Sequence, residues 1–305
     1  MLEAPSSAKT PDSTDNAVAT RSGQTWMAWL LVVFTMAVFA PVSLWILRET
    51  ATRQQIRQSL IMLAAAAALV AWRHRRDFRI SSDLGNRTLA LIGVSFAFVG
   101  AARLLNWPLM VLPGLAFGLA GALQALFGPT GYRFLKPLVV GVLALAAMII
   151  AFPLLDWPLR KLAGIEAARV LTACNITPHL TLAGSATEPQ LLLTVGSQVF
   201  HVATECNGFG LITSGALLAL LAAGISQRGW LGTLVLVPVA MVIGFAVNLL
   251  RIMLITLNAP FFSGHYHAMH EIIGTLSLWL GLGVIGALAW RSQPAAKPAR
   301  ILPRA

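Results

Sequence analysis

The stretch PLVVGVLALAAMIIAFPLL, residues 137–155, decides the fold, because it runs for 19 residues without a charged side chain. A helix needs about 20 apolar residues to cross the hydrocarbon core of a bilayer. Uncharged runs of similar length recur along the chain, at residues 27–47, 207–225, 230–250 and 272–290. We therefore expect an all-α polytopic membrane protein.

Three further apolar runs bring the number of membrane segments to about eight. Residues 58–72 form a short alanine-rich run, and residues 88–105 and 109–127 are separated only by the sequence NWP at 106–108. A short segment with asparagine and proline between two apolar runs is typical of a tight turn. The last two runs are therefore predicted to be consecutive antiparallel transmembrane helices.

The composition supports a membrane protein and excludes several other classes. Of the 305 residues, 57% are hydrophobic and 11% are charged, and the mean hydropathy is +0.76. Soluble domains carry about 25% charged residues. An ordinary cytosolic enzyme, a disordered chain and a collagen are therefore excluded. Two cysteines also exclude a multi-cysteine zinc cluster.

The distribution of lysine and arginine explains the net charge of +11. If the N-terminus is cytoplasmic, 14 basic residues fall on the inner face and 6 on the outer face. Cytoplasmic loops of membrane proteins carry such an excess. Eight spans then place both termini inside. The charge is thus explained by topology and the lipid bilayer, and we expect no nucleic acid partner.

The sequence predicts three regions. Residues 1–25 are polar and show no hydrophobic pattern, which is typical of a disordered tail, here cytoplasmic. Residues 26–290 form the transmembrane domain, and residues 291–305 form a basic cytoplasmic tail. Within the domain, residues 156–206 are the one large extracytoplasmic loop.

This loop is predicted to contain a short amphipathic helix and a β-hairpin. Apolar residues recur at close to the helical period over residues 159–174, and Pro178 ends that segment. Residues 191–195 and 199–202 flank a glycine turn and are typical of two paired strands. The loop is too small for a core of its own, so we expect it to shape a site on top of the helices.

Cys206 is a candidate nucleophile at the outer start of the sixth span. The unpaired N–H groups at a helix N-terminus favour a thiolate. The N–H groups of Asn207 and Gly208 are candidates to hold an oxyanion, and Gly208 lets a substrate backbone approach closely. The alternative interpretation of Cys206 is a small apolar packing residue.

Arg251 and the histidines near the last span are the other candidates. Arg251 lies 21 residues after Trp230, about 30 Å along a helix. At that depth an arginine faces a partner or water, or it is a snorkelling anchor. His265, His267 and His270 suggest a metal site, but no carboxylate cluster accompanies them, so we expect no metal and no cofactor. A histidine there suits acid–base chemistry.

The predicted topology brings these candidates to one side of the membrane. Apolar runs and loop charge alone place Cys206, Arg251 and His270 at the outer face, on three consecutive spans. A nucleophile, a charge stabiliser and an acid–base group are the parts that acyl transfer needs.

At these residues the chain resembles the exosortase/archaeosortase family of membrane-embedded cysteine transpeptidases. The family pattern is an apolar strand, a Cys–small–Gly motif, an Asn-x-x-Arg-Ile motif and a late histidine. Its counterparts occur in that order as VFHVATECNGF at 199–209, Asn248-Leu-Leu-Arg251-Ile, and His270 with Gly274 four residues on. The resemblance covers roughly residues 25–290, and its specific part is 190–275.

The resemblance implies a protease–transpeptidase that sorts exported proteins at a bacterial cytoplasmic (inner) membrane. Its substrates would carry a C-terminal Pro-containing motif, a membrane helix and a basic tail. It implies Cys206 as the nucleophile that forms a thioester, Arg251 as the stabiliser of the oxyanion or substrate carbonyl, and His270 as the acid–base residue, with His267 as the fallback.

The same motifs extend the candidate site to neighbouring residues. Asn207, Gly208 and Asn248 are candidates for substrate binding or for the oxyanion site. Asn207 departs from the family pattern, in which serine is more frequent at that position, and this predicts a subfamily with its own sorting signal.

Two alternatives remain open at this point. One is a non-enzymatic transporter or assembly scaffold in which Cys174 and Cys206, both on the oxidising face, form a structural disulfide. A charged-solute transporter needs polar residues deep within its spans, and these spans have almost none away from their ends. The other is a serine intramembrane protease. Ser214-Gly215 lacks the glycine two positions earlier that such enzymes carry, so Ser214 is interpreted as a packing residue.

Overall fold

A computed structural model describes residues 13–76, 80, 84–185, 189–202, 206–261 and 265–291. It is mostly helical with one small sheet, which confirms the predicted fold class. In chain order the elements are α1 (Ser13–Thr52), α2 (Gln54–Arg73), α3 (Asn86–Leu104), α4 (Val111–Ala173), β1 (Pro178–Gly184), β2 (Pro189–Val195), β3 (Gln198–His201), α5 (Phe209–Ile225), α6 (Trp230–Asn258) and α7 (Tyr266–Arg291).

The helices match the predicted membrane segments. Gly128 has φ 64° and breaks α4 into two segments. With that break, the described residues contain seven helices long and apolar enough to cross a membrane. Helix α5, at the eighth predicted segment, is apolar but shorter, at 17 residues. The predicted turn at 106–108 separates α3 from a short 3-10 turn that leads into α4.

Both predicted tails lie partly beyond the described residues. Residues 1–12 and 292–305 are outside them, and α1 begins at Ser13, within the segment 1–25. The cytoplasmic location of the two tails stays a prediction.

The second segment of α4 is much longer than a membrane span. It runs for 43 residues, Gly131–Ala173, which is about 65 Å at 1.5 Å per residue and about twice the hydrocarbon thickness. The amphipathic helix predicted at 159–174 is therefore the end of α4 and not a separate element. Pro153 and Pro158 lie within α4, although a proline removes a backbone donor and often ends a helix.

The predicted hairpin belongs to a three-stranded antiparallel sheet of order β1-β2-β3. Strands β2 and β3 pair with Leu193 opposite Phe200, and β1 adds a strand that pairs Leu182 with Leu191. The sequence did not predict β1, because Pro178 was interpreted only as the end of a helix. The sheet packs against the last turns of α4 and against α6, in a cluster of Ala163, Ala167, Leu171, Leu191, Leu193, Val202 and Ile252.

The chain divides into two compact units, and the candidate residues all belong to the second. The first unit comprises residues 1–42 and 74–135, and the second comprises 43–73 and 136–305. Within the first unit, α3 packs closely on α4, where the Ser95 hydroxyl donates to the carbonyl of Gly114 at 2.7 Å.

Within the second unit, α5 is the central helix and contacts α2, α6 and α7. Eleven of its 17 residues are buried, as expected for a helix that is apolar on all sides. The Ser214 and Ser59 hydroxyls lie 3.1 Å apart in the interface between α5 and α2. A Cβ on Gly244 would lie 2.8 Å from the carbonyl oxygen of Leu211, so glycine lets α6 approach α5 closely.

Candidate active site

Cys206 lies in a tight turn that leads into α5. Gly208 has φ 78°, in the left-handed region, and α5 begins at the next residue, Phe209. The side-chain oxygen of Asn207 accepts a hydrogen bond from the Phe209 N–H at 2.7 Å. This bond satisfies one of the donors left open at a helix start. The thiol is therefore held immediately before the N-terminus of a buried helix.

The Asn207 side chain fixes this turn to α4. Its amide nitrogen donates to Asp156 Oδ1 at 2.6 Å, and Asp156 also forms an ion pair with Arg160. Asn207 is fully buried and is absent from the residues that line the cavity described below. The structure thus directs this side chain toward α4, although the sequence suggested a role in contacting the substrate.

Asn248, on α6, holds the turn from the opposite side. Its amide nitrogen donates to the carbonyl oxygen of Cys206 at 2.9 Å. The same amide lies against Gly208, where an added Cβ would be 2.9 Å from Asn248 Nδ2. Asn248 is fully buried, and its Oδ1 has no hydrogen-bond partner among the described residues.

His270, in the first turns of α7, faces the thiol. Its Nε2 lies 3.9 Å from Cys206 Sγ, and both side chains are half-buried. Such a pair is long for a hydrogen bond, but catalytic hydrogen bonds are often long before substrate binds. The His267 side chain lies outside what the structure describes, so its position relative to Cys206 stays a prediction.

Arg251 lies on α6 one helical turn after Asn248 and packs against α7. A Cβ on Gly274 would lie 3.0 Å from Arg251 Nη2, so glycine makes room for the guanidinium. Gly274 in turn follows His270 by about one helical turn. Arg251 and His270 are thereby brought together by the contact between α6 and α7.

A cavity of about 890 Å³ joins these groups. Five of the seven predicted residues line it, namely Cys206, Gly208, Asn248, Arg251 and His270. Asn207 does not line it, and the His267 side chain lies outside what the structure describes. The volume lies within the range typical of ligand sites. Its remaining lining comes from β2, β3, α2, α5, α6 and α7, and it includes Glu271.

Two groups of residues near the site were not singled out by the sequence. Gln54, Gln55 and Gln58 of α2 line the cavity, and Asp156 anchors Asn207. The glutamines form a polar cluster in the sequence QQIRQ just before a predicted span. That cluster was a signal in the sequence for a polar surface at this end of α2. It was not recognised, because the span was predicted to start only at residue 58. No sequence signal linked Asp156 to Asn207, which lies 51 residues away.

The two cysteines are both free thiols in the structure. Cys174 is exposed just after α4, and Cys206 is half-buried. The structure therefore does not contain the Cys174–Cys206 disulfide that the sequence left open.

Comparison with known proteins gives one family. The model of the transmembrane exosortase family (Exosortase_EpsH) matches residues 50–290, which include every residue of the candidate site. No curated protein and no solved structure matches the chain.

Proposed function

The chain belongs to the transmembrane exosortase family, and from that premise we propose that it is a cysteine protease–transpeptidase. Proteins of this family process sorting signals on exported proteins at the membrane. The observation that supports the specific chemistry is the distance of 3.9 Å between Cys206 Sγ and His270 Nε2, in a cavity that Arg251 also lines.

The first chemical step is acylation of Cys206. His270 Nε2 takes the thiol proton, and the thiolate attacks the carbonyl carbon of the scissile peptide bond. The carbonyl π-electrons move to its oxygen, and the Arg251 guanidinium stabilises this oxyanion. When the carbonyl re-forms, the carbon–nitrogen bond breaks and His270 returns the proton to the leaving amine. A thioester on Cys206 and a released C-terminal fragment are the products.

The second step resolves the thioester. A nucleophile with a transferable proton attacks the thioester carbonyl carbon, His270 takes its proton, and the carbon–sulfur bond breaks to return the thiolate. Water as the nucleophile makes the reaction proteolysis, and an amine or hydroxyl makes it transpeptidation or transfer. The cavity is large enough to admit an acceptor beside the acylated cysteine.

The substrate is an exported protein with a C-terminal Pro-containing motif, a membrane helix and a basic tail. Such a substrate is delivered with its motif at the outer membrane surface and its basic tail inside. The charge distribution of this chain, with both termini inside and the inner membrane as its location, would put Cys206 at that same surface.

The decisive experiment is replacement of the nucleophile. A tagged exported protein that ends in the three-part signal is co-expressed with the enzyme, and loss of the C-terminal fragment is followed by pulse–chase. We expect Cys206→Ala to abolish processing and Cys174→Ala to leave it unchanged, with both variants accumulating in membranes like the unmodified chain. Normal processing by Cys206→Ala would overturn the proposal.

A further inference from the structure

Strand β3 is an edge strand of the sheet and borders the same cavity as Cys206. We propose that the exported substrate binds along β3 as an additional β-strand, so that its backbone is aligned next to the nucleophile. This inference rests on the proposed function and extends it from the reacting groups to the way in which the peptide is held.

The register of the sheet identifies which N–H and C=O groups of β3 point away from β2. The Val202 N–H donates to the carbonyl of Leu191 at 2.8 Å, so Val202 is a hydrogen-bonding position toward β2. Hydrogen-bonding positions alternate along an antiparallel pair. Phe200 is therefore also directed toward β2, while the N–H and C=O groups of Val199 and His201 point away from it, toward the open edge.

The cavity follows this edge. All five residues from Gln198 to Val202 line it, although their side chains alternate between the two faces of the strand. Phe200 packs toward Ile255, Ala259 and Met269, whereas Val199 and His201 are exposed. A cavity that is lined by every residue of β3 borders the edge of the strand toward which the N–H and C=O groups of Val199 and His201 point.

The occupant that suits this edge is an extended peptide. Strand addition satisfies main-chain groups through a regular series of hydrogen bonds, and it does so for many different side-chain sequences. It also holds a peptide extended, which exposes each of its bonds to a neighbouring nucleophile. The strand ends at His201, five residues before Cys206, and both lie on one cavity, so a peptide aligned with β3 continues toward the thiol.

The opposite edge of the sheet provides a matched control. The N–H and C=O groups of Leu191 and Leu193 are directed toward β3. The N–H and C=O groups of the residues between and beside them in β2 are therefore directed toward β1. Leu182 of β1 lies opposite Leu191, whose backbone groups are directed toward β3. The Leu182 N–H therefore points away from the sheet, as the Val199 N–H does at the other edge. Leu182 is 65% exposed and Val199 is 60% exposed, but β1 does not line the cavity.

The first test removes one outward-facing donor on each edge. Proline is tolerated in an edge strand where the N–H faces outward, so neither Val199→Pro nor Leu182→Pro breaks a bond within the sheet. We expect Val199→Pro to slow processing of the tagged substrate roughly tenfold, the order expected for one lost hydrogen bond to the substrate, and Leu182→Pro to process it at the unmodified rate. Val199→Ala, which keeps the N–H, should be several-fold faster than Val199→Pro.

The outcomes of this test separate the inference from the proposed function. If Cys206→Ala is inactive but Val199→Pro processes as fast as Leu182→Pro, the strand inference is wrong and the enzyme proposal stands. If Cys206→Ala is active, the enzyme proposal itself is wrong.

The second test does not depend on activity. Val199→Cys is made in a chain with Cys174→Ala and Cys206→Ala, and single cysteines are placed at successive positions of the substrate around its Pro-containing motif. Side chains of paired strands meet at every second residue, so we expect disulfide cross-links at alternate substrate positions. The same chain with Leu182→Cys should give none. Cross-links without this alternation, or none from position 199, would overturn the inference.

Discussion

At the level of single residues, the turn at Cys206 depends on Gly208. Its φ of 78° is unfavourable for any residue with a Cβ. Its neighbour across the turn is the Asn248 amide, which donates to the Cys206 carbonyl. The absence of a side chain at position 208 therefore allows both the backbone conformation and the contact that holds the Cys206 backbone.

Replacing this glycine should impair activity more than stability. In Gly208→Ala the added methyl would lie 2.9 Å from Asn248 Nδ2, so the amide must move and the Cys206 carbonyl loses its donor. We expect at least a tenfold loss of processing rate, of the order seen when a reacting group is displaced by about 1 Å. The rate is measured at equal amounts of membrane protein.

The control for Gly208→Ala is Gly196→Ala. Gly196 also has a positive φ, 60°, but an added Cβ there meets nothing within 4 Å. The two substitutions share a conformational cost of about 1–2 kcal/mol, visible as similar decreases in thermal stability. Equal losses of activity would show that backbone strain, and not the contact with Asn248, limits the reaction.

The residue types of the site were more predictable than the directions of their side chains. Cys206, Arg251 and His270 were predictable because apolar runs and loop charges place them on one face, and because their chemistry is complementary. Their convergence in one cavity follows from the packing of α6 on α7. The direction of the Asn207 side chain was not predictable, because hydrophobic periodicity carries no information about the backbone angles of a turn.

At the level of elements, α4 anchors the turn that contains Cys206. Asp156 accepts from Asn207 at 2.6 Å and is paired with Arg160 on the next helical turn. The contact joins two segments that are distant in the sequence, so it couples the position of Cys206 to α4. We therefore predict that Asp156 acts through Asn207 as a positioning residue for Cys206.

Removing this carboxylate should destabilise the turn. Asp156→Ala leaves the buried amide of Asn207 without its acceptor, which costs about 1–3 kcal/mol. We expect a lower melting temperature in detergent and a slower single-turnover formation of the thioester at Cys206. The second readout distinguishes a displaced nucleophile from a general loss of stability.

Glu166→Ala is the matched control on the same helix. Glu166 pairs with Arg169 at 2.6 Å, but the Arg169 side chain is 70% exposed. Such a surface pair contributes about 0–1 kcal/mol. A similar loss of thioester formation in Glu166→Ala and Asp156→Ala would contradict the anchoring role.

The helices were more predictable than the loop that connects them. Hydrocarbon thickness sets the length of a membrane helix, so uncharged runs located the spans to within a few residues. The extension of α4 to Ala173 and the strand β1 were missed for one reason. Each depends on a proline, Pro158 or Pro178, whose effect is decided by neighbouring tertiary contacts and not by the local sequence.

At the level of the whole molecule, the excess of inner basic residues predicts the orientation. Fourteen against six lysines and arginines favour cytoplasmic termini. A periplasm-dependent reporter, alkaline phosphatase, should then be active when fused after Asn175, in the turn that follows α4, and inactive when fused after Gln227, in the turn between α5 and α6. The reverse pattern of activity would contradict the predicted orientation and the outer location of Cys206.

The burial of α5 determines how a change in bilayer thickness reaches the region of Cys206. A helix that faces lipid must tilt or shift when bilayer thickness changes. Helix α5, at 17 residues, is mostly enclosed by other helices, among them α2, α6 and α7. We therefore expect lipid composition to affect the turn at Cys206 only indirectly, through the helices that surround α5. The first residue of α5, Phe209, lies three positions after Cys206 and is 2% exposed, so neighbouring helices separate the start of α5 from lipid.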